Sequence, residues 1–214
     1  MVFETGDPVN VILSTTEEKK IDLLILGALQ RENFLKYYVG SIARKITRKA
    51  KCSVLLMIKP SVERIPYEHI VVNGLQDQKT KQTIASAFFV GHKLGVSKIS
   101  IVEEISQQEI AVNVEDDKSL RKATLRKERI RMREKSRIKK IVAEIPQEHI
   151  DEIAIKSQPI FGKRGYSIGH YAKVVRADLL VMNAPTKMTF WDRLFPHDIE
   201  HILTELPTDV LIIQ

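Results

Sequence analysis

Asp22-Leu-Leu-Ile-Leu-Gly27-Ala28 and Asp178-Leu-Leu-Val-Met-Asn183-Ala184 are one phrase written twice, 156 positions apart. The match keeps its register without a gap: Val54-Leu-Leu-Met57 falls on Val210-Leu-Ile-Ile213, Ile12 on Ile168 and Gly6 on Gly162. Apolar residues land on apolar residues over the whole span, which is the signature of an internal repeat. The two copies are unequal. The second has room for everything from Tyr67 to Gln214, whereas the first begins only at the counterpart of about residue 157.

The longer copy gives the order of elements. His69–Asn73 is a short apolar run ending in Asn-Gly, as a buried strand does. Thr80–Leu94 carries helix formers and stops at Gly95; Lys98–Val102 reads as a second strand. A cationic helix follows. Ile150–Ile155 then reads as a strand, Tyr166–Arg176 as a helix, Leu179–Met182 as a strand, His197–Leu206 as a helix stopped by Pro207, and Val210–Ile213 as the last strand. Strands alternating with helices predict an α/β fold, a parallel five-stranded doubly wound sheet with ligands collecting at the strands' carboxyl ends. The shorter copy supplies helix Asn10–Lys20, strand Leu23–Leu26, helix Ser41–Ala50 and strand Ser53–Met57. The expected organisation is a half-unit over 1–60, a linker over 61–66 and a complete unit over 67–214.

Composition agrees with a soluble globular protein: 214 residues, 43% apolar, 29% charged, one Cys. Apolar runs as short as Leu23–Leu26 fall far below the roughly 20 residues of a membrane span. No charged-then-apolar leader opens the chain, and Cys52 alone cannot form an internal bridge, so the expected compartment is the reducing cytoplasm. The formal charge of +7 is concentrated. Lys118 to Lys140 holds twelve Lys/Arg against Glu128 and Glu134, a local excess that leaves the rest of the chain slightly acidic. Leu120, Ala123, Ile130, Ile138 and Ile141 recur at near-helical spacing within it. The plain reading is a solvated surface helix. An anionic lipid surface or an acidic partner face, met by Arg126, Lys127, Arg129, Arg131, Arg133 and Arg137, is the alternative. Nucleic acid ranks below both, because no stacking aromatics are interleaved.

Gly27-x2-Gln30-x9-Gly40-Ser41, followed by a helix and then Lys51-Cys52-Ser53-Val54-Leu55-Leu56, resembles the closing half of a universal stress protein domain. That resemblance implies an adenine-nucleotide α-hydrolase-like fold. In the family's nucleotide binders Gly-x2-Gly-x9-Gly-Ser/Thr holds phosphate, which makes Gly27, Gln30, Gly40 and Ser41 the candidate site for ATP or AMP. A backbone without side chains and a free helix N-terminus suit an anion. Gln30 departs from the pattern where a glycine is expected. The second copy departs further: its equivalents are Asn183, Thr186, Pro196 and His197, and Asn73 stands where the binders carry an Asp. The resemblance therefore implies a degenerate second domain and a non-catalytic, cytoplasmic regulatory or dimerisation module. Tandem, degenerate domains of this kind also form the soluble tails of amino-acid permeases, cation–chloride cotransporters and cation–proton antiporters, so a tail tethered to the inner membrane face is one form of this expectation. The alternative is an ATP- or AMP-binding stress-response regulator.

A half-unit should expose an apolar strand edge. Either the missing half precedes Met1, or a second chain covers the edge by dimerising; the lack of a replacement strand in residues 1–9 favours the former. Other motifs carry less. His197 and His201 stand at i, i+4, but with no third ligand nearby no metal is expected. Gly162-Lys163-Arg164-Gly165-x3-Gly169 lacks a P-loop's Gly-Lys-Ser/Thr ending and reads as a strand-to-helix connection. Met188, Phe190, Trp191, Leu194 and Phe195 read as a cluster folded on its own core. No Ser–His–Asp, Cys–His or paired-carboxylate arrangement stands out, Ser41 has no base, and no enzyme is expected.

Overall fold

Alternating apolar residues in short runs force strands with two distinct faces, and the computed structural model places seven such runs in one sheet. It describes residues 3–30, 37–58, 60–61, 63, 65–106, 109, 115–163, 165–184 and 198–214. The shorter copy contains α1 (Pro8–Glu18), β1 (Leu23–Gly27), the two-residue strands β2 (Leu29–Gln30) and β3 (Tyr37–Tyr38), α2 (Ser41–Lys49) and β4 (Ser53–Met57). The longer copy contains β5 (His69–Asn73), α3 (Thr80–Leu94), β6 (Lys98–Ile105), α4 (Asp117–Val142), β7 (Ala154–Phe161), α5 (Tyr166–Val174), β8 (Leu179–Asn183), α6 (Asp198–Thr204) and β9 (Asp209–Ile213). The sheet order is β1-β4-β9-β8-β5-β6-β7, parallel throughout except where β4 meets β9. The fold class is α/β with a mainly parallel sheet.

The repeat is legible in the backbone. β1 pairs with β4 as Leu23↔Ser53 through Gly27↔Met57, and β8 pairs with β9 as Leu179↔Asp209 through Asn183↔Ile213, so every pair recurs at the same offset. Ile21 N–H donates to Thr16 O at 2.9 Å, and Ala177 N–H to Ala172 O at 2.9 Å. Ala28 N–H donates to Met57 O at 2.8 Å, and Ala184 N–H to Ile213 O at 2.7 Å. Even the left-handed residue closing the first helix is repeated, with φ 51° at Lys20 and 52° at Arg176. At the junction Val54↔Ile212, Leu55↔Leu211 and Leu56↔Val210 are partners. Leu55 and Leu211 are each other's counterparts, so the two copies meet about a local twofold axis through that pair.

One face of the sheet carries Leu24, Leu26, Val54, Leu56, Leu180, Met182, Val210 and Ile212 under helices α1, α2, α5 and α6. The opposite face carries Ile70, Val72, Ile99, Leu179, Val181 and Leu211 under α3 and α4, through Ile84, Phe88 and Ile138. Among the described residues no helix equivalent to α3 covers β1. Leu23 and Ile25 are 44% and 56% exposed, whereas their counterparts Leu179 and Val181 are 1% and 0% exposed. A cavity of about 490 Å³ opens beside Leu55 and Met57 on this same face. The chain after β4 is tied down next to it, with Asp209 accepting from Ile58 N–H at 2.8 Å and from the Tyr67 hydroxyl. Burial, together with that carboxylate, pushes the Tyr67 phenol well above its ordinary range.

Several boundaries differ from the sequence expectation. The strand expected at Ile150–Ile155 lies at Ala154–Phe161, because Gln147–His149 forms a 3₁₀ turn. Its polar and proline-containing sequence suits a sheet edge, where Pro159 need not donate. β6 runs on past Val102 to Ile105, carrying Glu103 and Glu104 into the interior. α1 starts two residues earlier than expected: Asp7 accepts from Asn10 N–H at 3.0 Å and Pro8 occupies the first turn. The cationic helix is slightly longer than its charged stretch, closed at its start by a reciprocal Asp116–Ser119 cap.

Candidate functional site

A strand followed by a helix that runs back places the helix N-terminus at the strand's carboxyl end, so β1 and α2 set Gly27, Gly40 and Ser41 at one end of the sheet. Gly40 caps α2 with extended backbone; no side chain caps the helix, and its first turn contains no acid. Its first-turn N–H groups, without a side-chain cap, can donate to an anion. A Cβ at Gly27 would meet nothing within 4 Å, while one at Gly40 would approach Leu29 Cδ1 to 3.0 Å. A side chain at residue 40 would therefore have to displace the end of the half-exposed Leu29 side chain. Gln30 lies in β2, paired antiparallel through its backbone with Tyr37 of β3. Among the described residues no strand borders β1 on the side where β5 borders β8, so the half-site has one wall.

The longer copy has both walls, and its own side chains hydrogen-bond across the cleft between them. Asn73 is 2% exposed at the end of β5, its Oδ1 accepting from Leu75 N–H at 3.3 Å. Asn183 Nδ2 donates to Asp77 Oδ1 at 3.2 Å, joining the loop after β5 to the end of β8. Asn183 Oδ1 is buried without a partner among the described residues. Thr186, Pro196 and His197 lie outside the described residues, as do Met188, Phe190, Trp191, Leu194 and Phe195.

Beside this cleft, α4 inserts a polar plug. Arg137 Nε donates to Glu134 Oε2 at 2.7 Å and its Nη2 to Glu103 at 3.2 Å and to the carbonyl of Gly74. Arg133 Nε and Gln76 Nε2 hold the other Glu134 oxygen at 2.7 and 2.8 Å. A side chain at residue 74 would press on Ile101 Cγ2 at 3.0 Å and on the Val102 carbonyl at 3.3 Å, so glycine is needed there. Burial pushes the Glu103 carboxyl up to about 8, helped by its hydrogen bond to Glu134 and opposed by Arg137. For Glu134 burial acts in the same direction, but hydrogen bonds from Glu103, Arg137 and Arg133 outweigh it and hold the group down at about 2. The two carboxyls share one proton across the neutral range.

These contacts divide the cationic candidates. Arg137, 23% exposed, is bound into the interior cluster, whereas Arg133 gives its Nε to Glu134 and keeps an exposed guanidinium. Arg131 pairs with Glu128 at 2.6 Å, and with Lys127 it lies over the Phe161 ring, 5.8 and 6.0 Å from its centre. Arg126 and Arg129 remain on the exposed part of the helix. At Gly162–Gly169 the helix N-terminus is already occupied by an anion of the protein itself: Glu104 accepts from Gly165 and Ile168 N–H, each at 2.7 Å. Sequence reading missed Glu103, Glu104 and Glu134 as interior groups. The available signal was two adjacent acids continuing an apolar strand. Among the described residues no cluster of three or more His, Cys, Asp or Glu can hold a metal. None of their helices is long and apolar enough to cross a membrane.

Comparison with known proteins locates the relationship in the shorter copy. Residues 1–57 match the universal stress protein family. Over 58 residues, 27% of this chain, it is 34% identical to the universal stress protein MJ0531 of Methanocaldococcus jannaschii; the chain spans 34% of that relative's length. The fold relationship covers everything else. A universal stress protein from Archaeoglobus fulgidus aligns over 100% of this chain and 69% of its own, with a TM-score of 0.66 and 18% identity. The universal stress protein UspA of Lactobacillus plantarum is covered completely by 71% of this chain, with a TM-score of 0.52 and 12% identity. The chain therefore has the universal stress protein fold throughout, and the family's sequence pattern in its first quarter.

Proposed function

We propose that this chain is a non-catalytic regulatory and assembly module, working through its surfaces rather than through a reaction centre. The observation that carries this reading is the open edge of β1: two large apolar side chains, Leu23 and Ile25, stay accessible where their counterparts are sealed. An unpaired apolar edge is a template for association. The occupant to test first is a second copy of the chain. Sedimentation velocity over a wide concentration range is expected to give a dimer, with Ile25→Lys remaining monomeric. A wild-type chain that stays monomeric at every concentration contradicts the reading.

A second reading, nucleotide binding by the shorter copy, is favoured by the uncapped α2 N-terminus beside Gly27. Against it stand the unpaired outer side of β1 and, in the longer copy, Asn73 and Asn183 where the motif would need an Asp and a Gly. Thermal melting with ATP and magnesium separates the two readings. The module reading expects no saturable shift. A saturable rise in Tm that Gly40→Val abolishes would establish nucleotide binding instead.

A further inference from the structure

An α-helix advances about 1.5 Å per residue, so the 26 residues of α4 span about 39 Å. Its buried residues are Ile130, Glu134 and Ile138, all in the second half. Ile130 packs with Ile105 and Phe161, which turns one narrow stripe of the helix inward. At 100° per residue, Arg121, Leu125, Arg129, Met132, Lys135 and Lys139 fall on a single arc pointing away from that stripe. Two of the six are apolar and spaced by two turns, and they are conspicuously bare: Leu125 is 56% and Met132 72% exposed. Two acids share the arc: Glu128, paired with Arg131, and Asp117 in the helix's first turn.

We propose that this outward face of α4 docks on an anionic lipid surface, with the cations at the headgroups and Leu125 and Met132 entering the acyl boundary. Charge complementarity selects the partner's sign, because the chain's positive excess is gathered on this helix. The two apolar side chains select its kind. A nucleic acid backbone would reward the lysines and arginines but leave Leu125 and Met132 against phosphates, whereas a bilayer interface takes both. Lys and Arg can also lay their aliphatic stems beside the apolar pair while their heads stay among the headgroups.

Co-sedimentation of the full chain with vesicles tests this. Vesicles of phosphatidylcholine with phosphatidylserine are expected to carry the protein down at roughly 0.1 M salt and to release it at about 0.5 M, as charges become screened. Phosphatidylcholine alone is expected to leave it in solution. Arg121→Glu with Arg129→Glu should weaken binding at least about tenfold, and Leu125→Ser with Met132→Ser several-fold. The same charge change on the far side of the sheet, Lys45→Glu with Lys49→Glu on α2, should leave binding as in the wild type; circular dichroism checks that each variant is folded. Equal binding to neutral vesicles, equal losses from the α2 and α4 charge variants, no loss from the Leu125 and Met132 pair, or tighter binding to a DNA duplex than to vesicles would each overturn the proposal.

Discussion

Leu23 and Leu179 are the same residue at the same place in two copies of one unit, and only their surroundings differ. Leu179 is sealed between β5, β9 and α3; Leu23 looks onto solvent. Removing a sealed leucine side chain costs about 2–5 kcal/mol, because transfer and cavity terms add. Leu179→Ala should therefore lower the urea midpoint strongly, while Leu23→Ala should cost under about 1 kcal/mol in dilute monomer. Equal costs would mean that the β1 edge is covered. Glu103 supplies a second test at this scale. Its folded pKa of about 8 lies above its unfolded value, so its contribution to stability is complete below the unfolded pKa and lost as pH rises through about 8. Glu134, held at about 2, behaves oppositely: its contribution is complete above the ordinary carboxylate range and lost as pH falls toward about 2. Between these limits the pair keeps its proton. Glu103→Gln preserves a donor to Glu134 without an ionisable group, so its Tm should decline less than that of the wild type between about pH 6 and 9. Parallel declines would contradict the shared proton.

Elements were legible in the sequence wherever a short apolar run had clean flanks. β4, β5 and α3 occupy the residues that their patterns predict, because turn residues or Gly95 stop them abruptly. β6 and β7 were not, and for one physical reason. The carboxyl end of β6 carries Glu103 and Glu104, and β7 carries Lys156 and Gln158, residues that sequence patterning assigns to solvent. The fold admits the two acids because each finds donors: Arg137 for Glu103, and two backbone amides of α5 for Glu104. Those donors come from residues 34 to 64 positions away, and no local pattern announces them. The cationic helix was read correctly as a helix, but its roles are divided. Arg137 works inside the protein, Arg133 reaches in from the surface to Glu134, and the outward arc is left to Arg121, Arg129, Lys135 and Lys139. Charge counting cannot make that division, since it depends on which face meets Phe161.

At the scale of the whole molecule, the repeat gave the order of elements in both copies but not how the copies are joined. Self-similarity reports what each unit contains. The junction is a property of two strands, β4 and β9, whose residues are apolar in either orientation. In the structure they run antiparallel with Leu55 opposite Leu211, which merges two and five strands into one sheet and makes the copies twofold partners. The candidate phosphate residues were legible as a motif at Gly27 and Gly40, and the open side of β1 was expected from the half-unit itself. Cross-strand backbone contacts in a NOESY spectrum of the perdeuterated protein test this joint most directly. The expected pairs are Val54 with Ile212, Leu55 with Leu211 and Leu56 with Val210. Contacts pairing Val54 with Val210 and Leu56 with Ile212, or none between the two strands, would contradict it.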